Sequence, residues 1–127
     1  MREVEFILYV ADQRKSTVFY SELLGMQPVL DVPGMTEFRF SDHCKLGLMP
    51  EKGIAKIITP TLHHPELGTG IPRCELYLKM DNAAECYQRG VQIGAKEISP
   101  MESRGWGDTV GYLADFDGHV LAFAKKT

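Results

Sequence analysis

Cysteine is scarce in this sequence: Cys44, Cys74 and Cys86 are all there is, and no pair has C-x-x-C spacing. An odd number without that spacing supports neither a disulfide framework nor a zinc ribbon. Their apolar or strand-like flanks lead us to expect buried free thiols in a reducing compartment. Long hydrophobic runs are missing too, since no apolar stretch reaches the roughly 18 residues a membrane span needs. The N-terminus, Met1-Arg2-Glu3-Val4-Glu5, carries no apolar signal-peptide core, so the expected location is the cytoplasm. Clustered basic charge is lacking. Net charge is −3, and the one local basic run is Lys125-Lys126 at the tail. A nucleic-acid backbone is therefore a poor partner, because such binding needs grouped Lys and Arg. No nucleophile elbow, P-loop or dinucleotide fingerprint occurs, and Gly105-Trp106-Gly107 lacks the strand-to-helix setting such a motif requires.

What is present is an ordinary globular composition, 44% hydrophobic and 24% charged over 127 residues, which suits one folded domain. Residues 4–10, Val-Glu-Phe-Ile-Leu-Tyr-Val, read as a strand. Asp12 opens a helix with apolar pairs Phe19/Leu23 and Tyr20/Leu24, and Gly25 stops it. Strands are expected at 27–32, 36–40 and 45–49, set apart by Pro33-Gly34 and by Ser41-Asp42-His43. Residues 51–71 are the least regular, with a short strand expected at 55–58. The pattern then returns: a strand at 74–80, a helix opened by Asp81-Asn82 with Asn82 and Glu85 at capping-box spacing, and a stop at Gly94. Strands at 96–99, 109–114 and 120–124 complete it. Asp12 to Gly25 and Asp81 to Gly94 both span thirteen residues, which marks an internal repeat.

The expected fold is thus α+β: two βαβββ modules, with curved mixed sheets around a cavity and helices on the outer face. Module 1 covers about 1–54, the connection about 55–71 and module 2 about 72–127, within one domain of residues 1–127. Strand parity assigns Phe6, Leu8 and Val10 to the helix side, and Glu5, Ile7 and Tyr9 to the cavity side. In the second module Leu76, Leu78 and Met80 face the helix, while Glu75, Tyr77 and Lys79 face the cavity.

Two stretches carry a family likeness. Tyr9-Val10-Ala11-Asp12 through Phe19-Tyr20 to Leu23-Leu24-Gly25 is similar to a V-x-D…FY…LG opening. Arg104-x-Trp106-Gly107, followed by Tyr112-Leu113-x-Asp115-Phe116-Asp117-Gly118-His119, is similar to an R-x-WG…DPDGH ending, with Phe116 where Pro is usual. Together they resemble the glyoxalase/bleomycin-resistance (vicinal oxygen chelate) superfamily over essentially the whole chain. That superfamily holds metal-dependent isomerases, dioxygenases and thiol transferases beside metal-free drug-binding proteins, so the fold leaves function open.

In metal-dependent members the resemblance implies four His or Glu ligands, two from each module. Carried over, they fall on Glu5 and Glu75, which can ligate, on Ala122, which cannot, and near Leu46 or Leu48, which cannot either. With two of four positions lost, no metal and no other cofactor is expected. The leading expectation is a metal-independent protein binding a small, cationic organic molecule. Its cavity would be lined by Glu5, Ile7, Tyr9, Glu75, Tyr77 and Ala122, with Arg104 and Trp106 at the rim and Glu5 and Glu75 as the acid–base candidates. The alternative is a metal-dependent lyase or isomerase resembling lactoylglutathione lyase, with Glu5 or Glu75 shuttling a proton. The resemblance also implies a homodimer.

Plain structural roles stand beside these. Glu5 can be a strand-end charge, Glu75 can pair with Arg73 or Lys79, and Trp106 can anchor its loop by packing under Gly105 and Gly107. His63 and His64 read as solvated loop residues, His119 as a turn residue, and the scattered methionines as core filling.

Overall fold

The computed structural model describes residues 1–127. Its contacts divide the chain into two units, Met1–Thr69 and Gly70–Thr127. The first runs β1 (Val4–Val10), α1 (Gln13–Leu24), β2 (Leu30–Val32), β3 (Met35–Ser41), β4 (Cys44–Pro50), α2 (Glu51–Ile58) and a 3₁₀ turn at Pro65–Gly68. The second runs β5 (Glu75–Lys79), α3 (Ala83–Gln92), β6 (Lys96–Ser103), β7 (Asp108–Ala114) and β8 (Val120–Lys126). Each unit holds one four-stranded mixed sheet, ordered β1-β4-β3-β2 and β5-β8-β7-β6. In both, the first strand pairs parallel with the last, and the other pairs are antiparallel. This is the expected α+β repeat of βαβββ modules.

Local chemistry explains α1. Asp12 accepts a hydrogen bond from the Lys15 backbone N–H at 3.0 Å, and Gly25 closes the helix in the left-handed region at φ 65°. Phe19, Tyr20 and Leu23 form its buried stripe. Thr17 joins α1 to the sheet through a 2.9 Å bond between its hydroxyl and that of Thr36, both buried. Thr36 lies opposite Leu48, and Leu48 opposite Leu8, so these residues share the α1-facing side of the sheet. Phe38 and Leu46 complete that core.

In the second unit Tyr87 of α3 meets Phe123 edge to face at 6.4 Å. Phe123 is opposite Gly111, whose missing Cβ leaves room for the Tyr87 ring. A Cβ there would lie 2.7 Å from that ring. Leu113 and Leu121 fill the same side.

Several sequence expectations change. Residues 51–58 form a helix, not a strand: Glu51, Ile54, Ala55 and Ile58 recur at helical spacing and turn inward, while Lys52, Lys56 and Ile57 face out. Asn82 stands at the start of α3 but its side chain makes no capping bond. Phe6 is 56% exposed although its parity matches Leu8 and Val10. Its strand is the sheet edge and α1 packs over β3 and β4, yet Leu8 and Val10 farther along the same strand are buried, so only the start of β1 is left uncovered. Leu76 and Leu78, on edge strand β5, are only half-buried. β6 runs past Pro100 to Ser103, because Pro100 falls on an edge strand where the register shifts and no ladder N–H is needed. Of the three thiols, Cys86 alone is buried; Cys44 is half-buried and Cys74 exposed.

Candidate functional site

The sheet surfaces turned away from α1 and α3 carry the chemistry. In the first unit this surface presents Glu5, Ile7 and Tyr9 from β1. Between β1 and β3 lies β4, whose residues of the same parity are Lys45, Gly47 and Met49. Glu5 is directly opposite Lys45, and Glu37 of β3 is opposite Gly47. The Lys45 ammonium therefore sits among acids: 2.9 Å from Glu37 Oε1, 3.4 Å from Glu5 Oε1 and 3.4 Å from Glu3 Oε1. Arg39 holds Glu3 from the other side at 3.2 Å.

Glu5 is the unusual member. Its Oε2 is buried without a partner at hydrogen-bonding geometry. That oxygen hangs over Gly47, where a Cβ would come within 2.5 Å of it. Burial raises the Glu5 pKa above the usual carboxylate value, and the adjoining Glu37 carboxyl raises it further against the pull of Lys45. Glu37 is lowered, first by its pairing with Glu5 and then by Lys45. Of the two carboxyls, Glu5 is therefore the one that protonates first as pH falls. Lys45 is raised, chiefly by its bond to Glu37.

In the second unit the corresponding surface has a floor of Val110, Ala122 and Ala124 with Tyr112 packed against it. Above it runs a polar chain. The Trp106 indole N–H donates to the Tyr77 hydroxyl at 2.9 Å, and that hydroxyl donates to Asp108 Oδ2 at 2.6 Å. Lys79 completes the chain with a 3.1 Å contact to Asp108 Oδ1. Asp108 is held below the usual carboxylate range, first by the Tyr77 hydroxyl and then by Lys79. Tyr77 is raised by burial of its hydroxyl and by Asp108.

Arg104 makes several bonds within its own unit. Its guanidinium donates to the Val110 carbonyl at 2.9 Å, to Ser99 Oγ at 2.9 Å and to the Pro100 carbonyl at 3.1 Å, and lies 5.2 Å from the Tyr112 ring centroid. It ties the irregular part of β6 to β7.

Of the residues singled out from sequence, Tyr77 and Trp106 meet directly, and Ala122 lies opposite Tyr77 on the same surface. Glu75 is on that surface too, opposite Val120, exposed and without an ion pair; Lys79, one of its expected partners, goes to Asp108. Trp106 does not pack under its loop: it is 61% exposed and held by its N–H. Leu46 and Leu48, near which the remaining ligand position was expected, both face α1 and are fully buried, while Lys45, Gly47 and Met49 lie on the open face. Sequence reading missed Glu37, Lys45, Asp108 and Tyr112. The alternation of Leu46 and Leu48 with Lys45 and Gly47 was the signal that could have found Lys45.

His64 accepts from the Glu66 N–H at the 3₁₀ turn. Asp115, Asp117 and His119 approach within 4.8 Å of one another, but Asp115 Oδ1 is engaged by the backbone N–H groups of Asp117 and His119 in a turn.

The description "Glyoxalase/Bleomycin resistance protein/Dioxygenase superfamily" matches residues 4–123. The chain belongs to that superfamily. A glyoxalase-related enzyme from Fulvimarina pelagi has a similar structure (TM-score 0.83, 21% identity, 99% of this chain and 89% of that one). A superfamily enzyme from Burkholderia phytofirmans PsJN gives 0.81 at 12% identity, with 97% of each chain covered. A protein from Agrobacterium tumefaciens gives 0.77 at 25% identity, with 100% and 98% covered. No curated protein matches the chain. These likenesses speak for the fold.

A divalent metal is what superfamily membership raises, and the residues here do not fit one. Ala122 has no donor atom and lies in an apolar floor. Glu75 faces Val120. Beside Glu5 the place of a cation is taken by the Lys45 ammonium. No helix is long and apolar enough to cross a membrane.

Proposed function

We propose that this superfamily member binds a small, flat, cationic organic molecule on the aromatic surface of its second unit, without a metal ion. One observation carries the reading. The Trp106 indole is largely exposed, yet it is fixed in place by its N–H bond to Tyr77, which is fixed in turn by Asp108. An aromatic face that is exposed and already ordered loses little freedom on stacking, so it favours binding. Glu75 adds an unpaired carboxylate two residues from Tyr77 on the same strand face, which suits a positive charge. Lys79 and Asp108 pair with each other, which leaves the Glu75 carboxylate free to meet a cation.

The test is fluorescence titration of Trp106, the one tryptophan, with a flat cationic dye and with neutral and anionic dyes of similar shape. Saturable quenching by the cation, weakened about tenfold or more in Glu75→Gln, supports the reading. Equal response to all three charges, or none to any, rejects it. A second reading, proton transfer at Glu5 by a lyase or isomerase, is favoured by the raised pKa of that carboxyl and by the Lys45 ammonium beside it. A rate profile that follows a single group titrating above the carboxylate range and is lost in Glu5→Gln would support it.

A further inference from the structure

We infer that Lys45 is the first unit's built-in cation: its ammonium fills a divalent-ion position formed by Glu3, Glu5 and Glu37, and removing it opens that position. The inference deepens the metal-free reading above and rests on it, but it concerns a different sheet from the aromatic surface.

Three carboxylate oxygens, from Glu3 just ahead of β1, Glu5 in β1 and Glu37 in β3, converge on one point, and that point is Lys45 Nζ. Glu37 Oε1 is 2.9 Å away, Glu5 Oε1 3.4 Å and Glu3 Oε1 3.4 Å. The arrangement follows from the sheet. β4 runs between β1 and β3, so a lysine opposite Glu5 is flanked by acids on both neighbouring strands. Its side chain is only 16% exposed, so the ammonium is held rather than waving in solvent. Hard divalent ions take carboxylate oxygens at about 2.0 to 2.6 Å. The same three oxygens would reach such an ion after a small inward shift, but not while an ammonium occupies the centre.

Two further features show that the place is shaped around Glu5. Its Oε2 is buried with no donor at hydrogen-bonding geometry, and Gly47 supplies the space for it, since a Cβ there would stand 2.5 Å away. The charged groups facing this place are Glu3 and Glu5 from the β1 side, Glu37 and Arg39 from β3, and Lys45 from β4. Glu3 is the one carboxylate within ion-pair distance of Arg39, whose guanidinium otherwise donates to the Ser41 and Asp42 carbonyls, so no Arg39 ion pair ties up Glu5 or Glu37. The second unit offers the internal contrast. Glu75 matches Glu5 in strand pairing but faces Val120, and no cation lies beside it.

The experiment is manganese titration, by calorimetry and by the spin resonance of free Mn²⁺, of the full chain and of Lys45→Met, with circular dichroism to confirm folding. Lys45→Met should bind one Mn²⁺ at least about tenfold more tightly than the wild-type chain. The double variant Lys45→Met, Glu5→Gln should lose that gain, and Lys45→Arg should remain closed. A folded Lys45→Met that binds no better than wild type overturns the inference, as does wild-type binding that disappears in Glu5→Gln. If Lys45→Met does not fold, competitive acetylation of the wild-type chain decides instead. Lys45 should react about tenfold more slowly than exposed Lys52, and Mn²⁺ should leave its rate unchanged. Acceleration by Mn²⁺ would mean that the ion displaces the ammonium, and would overturn it. Dye quenching of Trp106 is read on the second unit, so its failure and this one are separable.

Discussion

The two units share strand order, pairing sense and helix placement, yet their open surfaces differ position by position. Glu5 faces Lys45, and the equivalent Glu75 faces Val120. Gly47 lies opposite Glu37, and the equivalent Ala122 lies opposite Tyr112. One surface is an ion cluster around a lysine; the other is an aromatic shelf over an alanine and valine floor. The helix-facing sides are constrained by packing and stay alike: Phe38, Leu46 and Leu48 in one, Leu113, Leu121 and Phe123 in the other, all fully buried. Packing preserves one face of each sheet, while the other is free to take up different chemistry.

The largest effect should come from breaking what the units have in common. Phe38→Ala and Phe123→Ala each empty a core and should cost about 3 to 5 kcal/mol, read by urea unfolding. Next come the two strand glycines, which separate the faces. Gly111→Ala drives a methyl into the buried Tyr87 ring and should cost about 1 to 3 kcal/mol. Gly47→Ala meets the flexible end of Glu5 and should cost less than Gly111→Ala, while shifting the Glu5 titration as measured by carboxyl NMR. Tyr77→Phe removes the link between Trp106 and Asp108 and should cost about 1 kcal/mol, with a change in Trp106 fluorescence.

The smallest effect is also the sharpest contrast, because the key carboxyls titrate in opposite directions. Asp108 is lowered, so its stabilising contribution is present above the ordinary carboxylate range and is lost as pH falls through its folded value. Glu5 is raised, so its contribution is full below the ordinary value and is lost as pH rises through the folded one. Thermal melts should show Asp108→Asn weakening the protein at neutral pH but little in acid. Glu5→Gln, which stays neutral throughout, should compare more favourably with wild type at neutral pH than in acid.

Much of the fold was legible because its signals are local. Asp12 and Gly25 bracket α1 through their own backbone bonds, and strand alternation placed Glu5, Ile7, Tyr9 and Tyr77 on the correct sides. The errors fell where short apolar runs carry no period of their own. Residues 55–58 fit a strand until Glu51 and Ile54 reveal a helical face that begins earlier. Phe6 obeyed its parity and still stayed exposed, while Leu8 and Val10 on the same edge strand are buried, so parity names the face but not the cover each position receives.

By itself the sequence determined the repeat, the α+β class and the family likeness, since caps, stops and alternation act over a few residues. Only the tertiary structure decided the chemistry of the surfaces. Lys45 meets Glu5 across forty positions of chain, and Tyr77 meets Asp108 across thirty-one. Those meetings depend on sheet register, which no short stretch encodes, because each strand can read only its own alternation and not the neighbour it will lie against.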